Sequence, residues 1–279
     1  MLDLTRLPDA ALAPLARVVD VVLEADTGLS PDRLMVVGAY CRDLLHRALG
    51  LRFALTATHD LDLALALRSW EAYRVLAVTF PRAGTTGVRF RIANAPVDLV
   101  PFGQIEAPPG TVSPPTRGEP MSVWAFQEIH AKALPLGLPG GRTIRIPSVA
   151  GYAAAKLAAW LDRSAWGETR DAPDLALALH WYAESPHVLG RLYDTSAGND
   201  VLIAEAADVP LASAHLLGLD VAELVGPVRL GEQLGRWPGK IEVLALGLHV
   251  SQSPQWPTDQ ARRVQLIEAL TRGLSAAAP

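Results

Sequence analysis

The residues in this chain whose types and spacing suit chemistry are three aspartates. Asp60 and Asp62 stand two apart in HDLDLAL, and Asp98 stands in PVDLV. Residues two apart on a strand project from one face, so Asp60 and Asp62 point together while Leu61 and Leu63 turn away. Two neighbouring carboxylates repel unless a cation lies between them. Hard oxygen donors of this kind suit Mg2+ or Mn2+. Asp98 is flanked by Val97 and Leu99, and an acid in so apolar a strand is costly without a partner. A neighbouring strand would bring it beside the pair. A three-carboxylate site of this kind can hold divalent ions that align a hydroxyl with the α-phosphate of a nucleotide and stabilise the attacking and leaving oxygens. An Asp-x-Asp pair alone is commonly a surface cap or turn; the specificity lies in the combination.

A second element is VVGAYCRDLL at 36–45. A strand that ends in glycine and opens a helix aims unpaired backbone N–H groups at one point, a seat for phosphate. Gly38 lets a ligand approach the backbone closely. Read alone, the segment is an ordinary strand-to-helix turn. Arg42 and Asp43 follow one turn later, as phosphate-side groups or as a local ion pair. His59 can touch phosphate or lie on the surface, and Cys41 reads as a small buried apolar group.

These residues need elements to position them. Leu12, Leu15, Val18, Val19, Val22 and Leu23 recur at helical spacing over 9–26. Strands are expected at 34–38, 61–67, 88–93 and 96–103, with Asn94-Ala95 in the turn between the last two. Helices are expected at 39–49 and 69–78. Residues 107–120 read as loop, 123–136 pass from a short helix into a strand, and 143–147 is a further strand. From 148 onward no strand pattern reappears. Helices are expected at 148–163, 171–185, 199–207, 211–225, 229–236, 240–250 and 258–274. Two domains follow: 1–147, α/β, and 148–279, all helical. Trp160, Trp166, Trp181, Trp237 and Trp256 read as packing residues of the second, with base stacking as the other reading for Trp166.

Strand–Gly–helix, then Asp-x-Asp on a strand, then a third acid on another strand is the pattern of the nucleotidyltransferase superfamily. The chain most resembles the AbiEii family, which includes abortive-infection and MenT-like toxins of type IV toxin–antitoxin systems. The stretches that carry the resemblance are VVGAYCRDLL, TATHDLDLAL, VDLVPFG, IPSVAGYAAAKLAAWLDR and TRDAPDLALAL, spanning about 34 to 180. The resemblance implies an α+β fold, with an N-terminal nucleotidyltransferase domain of the DNA polymerase β type on a mixed β-sheet, followed by an all-α domain. It implies Asp60, Asp62 and Asp98 as ligands of Mg2+ or Mn2+, with Asp98 helping to activate the incoming hydroxyl. Gly38 and Ala39 would lie against the triphosphate, with Arg42 nearby. Lys156 would contact the nucleotide phosphates, Arg163 and Arg170 would neutralise phosphate charge, and Asp171 and Asp174 would form the later acidic motif. Without the resemblance, Lys156 in its alanine-rich helix reads as a lysine extending to solvent. Two departures stand out: Ala39 replaces a usual Gly or Ser, and Thr56 stands where Arg is frequent.

The implied activity is transfer of a nucleotide from a nucleoside triphosphate to a hydroxyl, with the 3′ end of tRNA as acceptor and a cognate antitoxin as protein partner. Arg191, Arg229, Arg236 and Lys240 would supply a basic groove for the RNA. Two alternatives stand beside this: a small hydroxyl compound such as an aminoglycoside, or a protein side chain, as acceptor; and a binding module of the same fold that does not catalyse. The formal net charge of −4 argues against sequence-blind nucleic-acid binding over a broad basic surface. The single cysteine excludes an internal disulfide. No leader segment and no transmembrane helix are expected, which predicts a cytoplasmic protein without a membrane partner.

Overall fold

The computed structural model describes residues 2–56, 60–168, 170–237, 239–250, 253 and 255–276. The chain divides into two compact units, Leu2–Ser148 and Val149 onward, a division that falls where the sequence loses its strand pattern. The fold is α+β, with a mixed six-stranded sheet in the first unit and helices in the second.

In the first unit, helix α1 (Asp9–Leu23) precedes strand β1 (Leu34–Val37) and helix α2 (Gly38–Ala48). Strand β2 (Leu61–Leu67), helix α3 (Trp70–Thr79) and strands β3 (Arg89–Ile92) and β4 (Ala95–Gly103) follow. The segment expected to be loop contains a two-residue strand, β5 (Thr111–Val112), paired with β6 (Met121–Ser122). So short a ladder leaves no periodic signal in a Pro- and Gly-rich stretch. Helix α4 (Phe126–Ala131) and strands β7 (Leu134–Gly137) and β8 (Thr143–Ile146) close the unit. The sheet order is β3-β4-β2-β1-β8-β7. β1 runs antiparallel to β2, and β2 runs parallel to β4. β1 and β2 hold its centre, where Leu34, Met35, Val36, Leu63, Ala64 and Leu65 are all buried, the near-continuous apolar composition of strands covered on both faces.

The β3–β4 hairpin differs by one residue from the sequence expectation. Ala93 and Asn94 both have positive φ, 50° and 65°, and Ile92 pairs with Ala95. The turn therefore occupies residues 93–94, a two-residue connection whose left-handed pair matches the twist of its strands.

The second unit contains α5 (Val149–Ser164), α6 (Ala172–Ala183), α7 (Pro186–Asp194), α8 (Ser196–Ala204), α9 (Val209–Gly235), α10 (Ile241–Gly247) and α11 (Gln260–Ala276). Helix α7 has no counterpart among the expected elements. Ser185 caps it, Pro186 opens it, and Val188 and Leu192 bury one side, a start signal of the usual kind followed by helical spacing. The two helices expected at 211–225 and 229–236 run as α9 with a break at Gly226, whose φ of 75° and ψ of 170° are not helical, followed by Pro227. Trp160, Trp181, Trp237 and Trp256 are buried, whereas Trp166 is 86% exposed.

Helix α9 is, among the described residues, long and apolar enough to cross a membrane by length and composition, and half of its most apolar stretch is buried. The helix packs closely on α11. A Cβ added at Gly218 would overlap the Leu270 carbonyl, and one added at Gly273 would overlap the His215 carbonyl, so α9 and α11 cross backbone to backbone through two glycines. We expect Gly218→Val to lower stability by about 3 kcal/mol, because neither backbone can retreat from the added methyls. Urea unfolding measures it; a change within about 0.5 kcal/mol, the range of neutral surface changes, would show that the crossing yields.

Candidate active site

The site is built at one end of the central strands. Val37, the last residue of β1, is in register with Asp62 of β2, and Asp62 is in register with Asp98 of β4. Register partners on adjacent strands share a face and lie one strand spacing apart, about 4.8 Å. Asp62 and Asp98 therefore stand side by side, while Leu61, Leu63, Val97 and Leu99 are buried on the other face. The alternation of β4 forces this: with Val97 and Leu99 in the core, Asp98 must face outward, where its side chain retains 16% exposure.

Gly38 follows Val37 and opens α2 with φ of 66°. A Cβ there would overlap the Asp62 carboxylate. The close approach that this glycine permits is made by the protein's own acid. Val37, at the N-cap, has no side chain able to cap the first turn of α2, and a carboxylate beside that turn meets the positive end of the helix.

Asp60 joins the group through a residue the sequence analysis did not single out. Arg89 of β3 is in register with Asp98. Its Nε donates to Asp98 Oδ1 at 2.7 Å, and its Nη2 donates to Asp98 Oδ2 at 3.0 Å and to Asp60 Oδ2 at 3.2 Å. The hydrogen-bonded Asp98 carboxylate, with Asp60 adding to it, holds the guanidinium well above the usual arginine range. The sequence carries no signal for Arg89, since only the observed turn at 93–94 sets residue 89 against residue 98. Among the described residues, no three His, Cys, Asp or Glu side chains are arranged to hold a metal ion as they stand; the Arg89 guanidinium lies between Asp60 and Asp98.

Arg42 does not extend freely from α2. Its Nε donates to Asp43 Oδ1 at 2.9 Å and its Nη2 to the Thr56 carbonyl at 2.7 Å. Thr56 takes part through its backbone. Ala39 lies in the first turn of α2. His59 lies outside the described residues. Cys41 is buried, as a small apolar group would be.

The remaining candidates meet one another within the helical unit. Lys156 and Arg163, seven apart on α5, share a face and meet Asp171 and Asp174 at the start of α6. Lys156 Nζ lies 2.6 Å from Asp174 Oδ2 and 3.5 Å from Asp171 Oδ1, and Arg163 Nη1 lies 2.5 Å from Asp171 Oδ2. The Tyr152 ring lies 5.6 Å from the ammonium. Lys156 is therefore held in an ion-pair network and does not extend to solvent as its alanine-rich context suggested. Arg170 pairs with Glu168 at 3.4 Å.

Three of the arginines expected to line a basic groove of the helical unit are paired with acids. Arg191 donates to both oxygens of Asp220, at 2.6 and 2.8 Å. Arg236 donates to Asp162 at 2.6 Å, and Arg229 is buried against Glu232 at 3.1 Å. Acids distant in sequence neutralise two of these three arginines, which a count along the chain cannot show.

Compared with protein-family models, with curated proteins and with solved structures, the chain matches none of them.

Proposed function

We propose that the first unit is a nucleotidyltransferase core of the DNA polymerase β type, and that the chain transfers a nucleotide from a nucleoside triphosphate to a hydroxyl. The observation that carries this reading is the in-register pair Asp62 and Asp98, set against a glycine that opens a helix. The resemblance to AbiEii and MenT-like toxins supplies the finer proposal: a cytoplasmic toxin whose acceptor is the 3′ end of tRNA and whose partner is a cognate antitoxin.

The donor set fits a divalent cation. Asp62 and Asp98 offer hard oxygens from adjacent strands, Asp60 is tied to Asp98 through Arg89, and a cluster of this charge already draws in a cation of the protein's own. Asp60, Asp62 and Asp98 would hold Mg2+ or Mn2+, which supplies charge neutralisation at the phosphoryl oxygens. The protein's own groups do the rest. The N–H groups of the first α2 turn orient phosphate. The acceptor hydroxyl loses its proton to Asp98 and its oxygen bonds to the α-phosphorus. The bond from that phosphorus to the bridging oxygen breaks, and pyrophosphate leaves. Both Asp98 oxygens accept hydrogen bonds from Arg89, and each keeps a further lone pair for another partner.

A second reading draws on the same arginine. A guanidinium that neutralises the acids lets the fold stand without a metal, as a binding module that does not catalyse would. The two readings separate in one experiment. The protein is incubated with each α-labelled nucleoside triphosphate, Mg2+ or Mn2+, and separate pools of tRNA, protein and small hydroxyl compounds. Label in tRNA is the expected result. Label only in another pool changes the acceptor and removes the toxin reading. No label in any pool, with Asp60→Ala indistinguishable from wild type in every assay, leaves the binding module.

A further inference from the structure

Arg89 stands between two of the acids proposed to hold a divalent cation, Asp60 and Asp98. Its guanidinium satisfies three carboxylate oxygens at once, two on Asp98 and one on Asp60. Those oxygens belong to the acids proposed to hold the ion, and the guanidinium takes one of the two lone pairs on each. Two cations held this close repel one another with little water to screen them. An arginine cannot relieve the conflict by losing its proton, because its guanidinium stays charged at any pH a protein survives. The relief must be geometric.

The fold provides for that movement. β3 ends the sheet, and residues 81–83 bridge its outer side, the Ala83 N–H donating to the Arg89 carbonyl at 2.9 Å; these bonds hold the Arg89 backbone and not its side chain. Its side chain keeps 28% exposure, and beside its Cδ lies Gly84, a residue with no side chain to hinder it. A change of rotamer turns the guanidinium from the acids into water without disturbing the ladder.

We propose that Arg89 is a built-in counter-ion that holds Asp60 and Asp98 together while no divalent cation is bound, and that cation binding requires its displacement. This inference rests on the reading of Asp60, Asp62 and Asp98 as a cation site. The wild-type affinity for metal is then reduced by the fraction of molecules in which Arg89 occupies the acids. The arginine protects the acids from their mutual repulsion and tunes the cation concentration at which the site fills.

Calorimetric titration of Mn2+ into wild-type protein, Arg89→Gln and Arg89→Lys tests it, together with melting temperatures with and without the ion. Arg89→Gln is expected to bind Mn2+ at least about tenfold more tightly than wild type, equivalent to about 1.4 kcal/mol. Without metal it is expected to melt below wild type, and Mn2+ is expected to narrow that gap. Arg89→Lys, which keeps the charge but loses the fork, is expected to fall between the two. Equal or weaker Mn2+ binding by Arg89→Gln overturns the inference and leaves the cation site standing. Absence of Mn2+ binding by all three proteins overturns both. Should Arg89→Gln fail to fold, the Arg89 Nε–H resonance of wild-type protein gives the answer, assigned by its absence in Arg89→Lys. It is expected to shift when Mg2+ is added, and a resonance unmoved while Mg2+ binds overturns the inference.

Discussion

Asp62→Asn is expected to slow nucleotide transfer by about 10³-fold while leaving the protein folded. The amide keeps the shape of the carboxylate, so its fit beside Gly38 survives. What disappears is one negative charge of the in-register pair. A divalent ion at such a site contributes several kcal/mol to the transition state, and each 1.36 kcal/mol is a factor of ten in rate. Asp98→Asn makes an instructive contrast. Asp98 accepts two hydrogen bonds from Arg89, so its change also breaks a charge-assisted pair and is expected to lower stability by about 1.5–3 kcal/mol. The two variants should be alike in lost activity and different in denaturant midpoint. Asp62→Asn transferring nucleotide at the wild-type rate would remove Asp62 from the chemistry.

Gly38→Ala is expected to damage both stability and activity. The residue has φ of 66°, a conformation that costs an L-residue about 1–2 kcal/mol. The new methyl would also overlap the Asp62 carboxylate, which must then swing away from Asp98 and from the start of α2. Total destabilisation of about 1–3 kcal/mol is expected, with a loss of transfer beyond what the unfolded fraction explains. A double-mutant cycle isolates the contact. Gly38→Ala combined with Asp62→Ala has no overlap left to relieve, so its stability loss should fall short of the sum of the single losses by about 1 kcal/mol. Strict additivity would show that the glycine serves only its own backbone.

Much of the frame is legible in the linear order of residues. The apolar run at 34–37, the alternation around Asp98 and the change to uninterrupted helical spacing after residue 148 all name their elements locally, because strand and helix periodicity are properties of a few consecutive residues. Local signals fail where an element is too short to show its period. The β5–β6 pair is such a case, whereas helix α7 carries Ser185, Pro186 and the buried Val188 and Leu192 at helical spacing.

The site is legible in part, and the turn of the β3–β4 hairpin shows why. A turn at residues 94–95 would set Arg91 against Asp98, and the observed turn at 93–94 sets Arg89 there. A shift of one residue in the turn re-pairs the whole ladder, and nothing in VRFRIANAPVDLV read alone decides between them. The arginine that governs the acids is thus visible as a residue and invisible as a partner. The same holds for the helical unit: Lys156 and Arg163 are conspicuous in the sequence, whereas their hold on Asp171 and Asp174 depends on how α5 packs on α6.

By itself the sequence determined which face of its strand each of Asp62 and Asp98 takes, since strand alternation assigns them a side as soon as Leu61, Leu63, Val97 and Leu99 are given to the core. Only the tertiary structure decided which strand lies beside which and at what offset. That choice depends on the summed burial and twist of all the paired strands, a non-local free energy that no short stretch of residues carries.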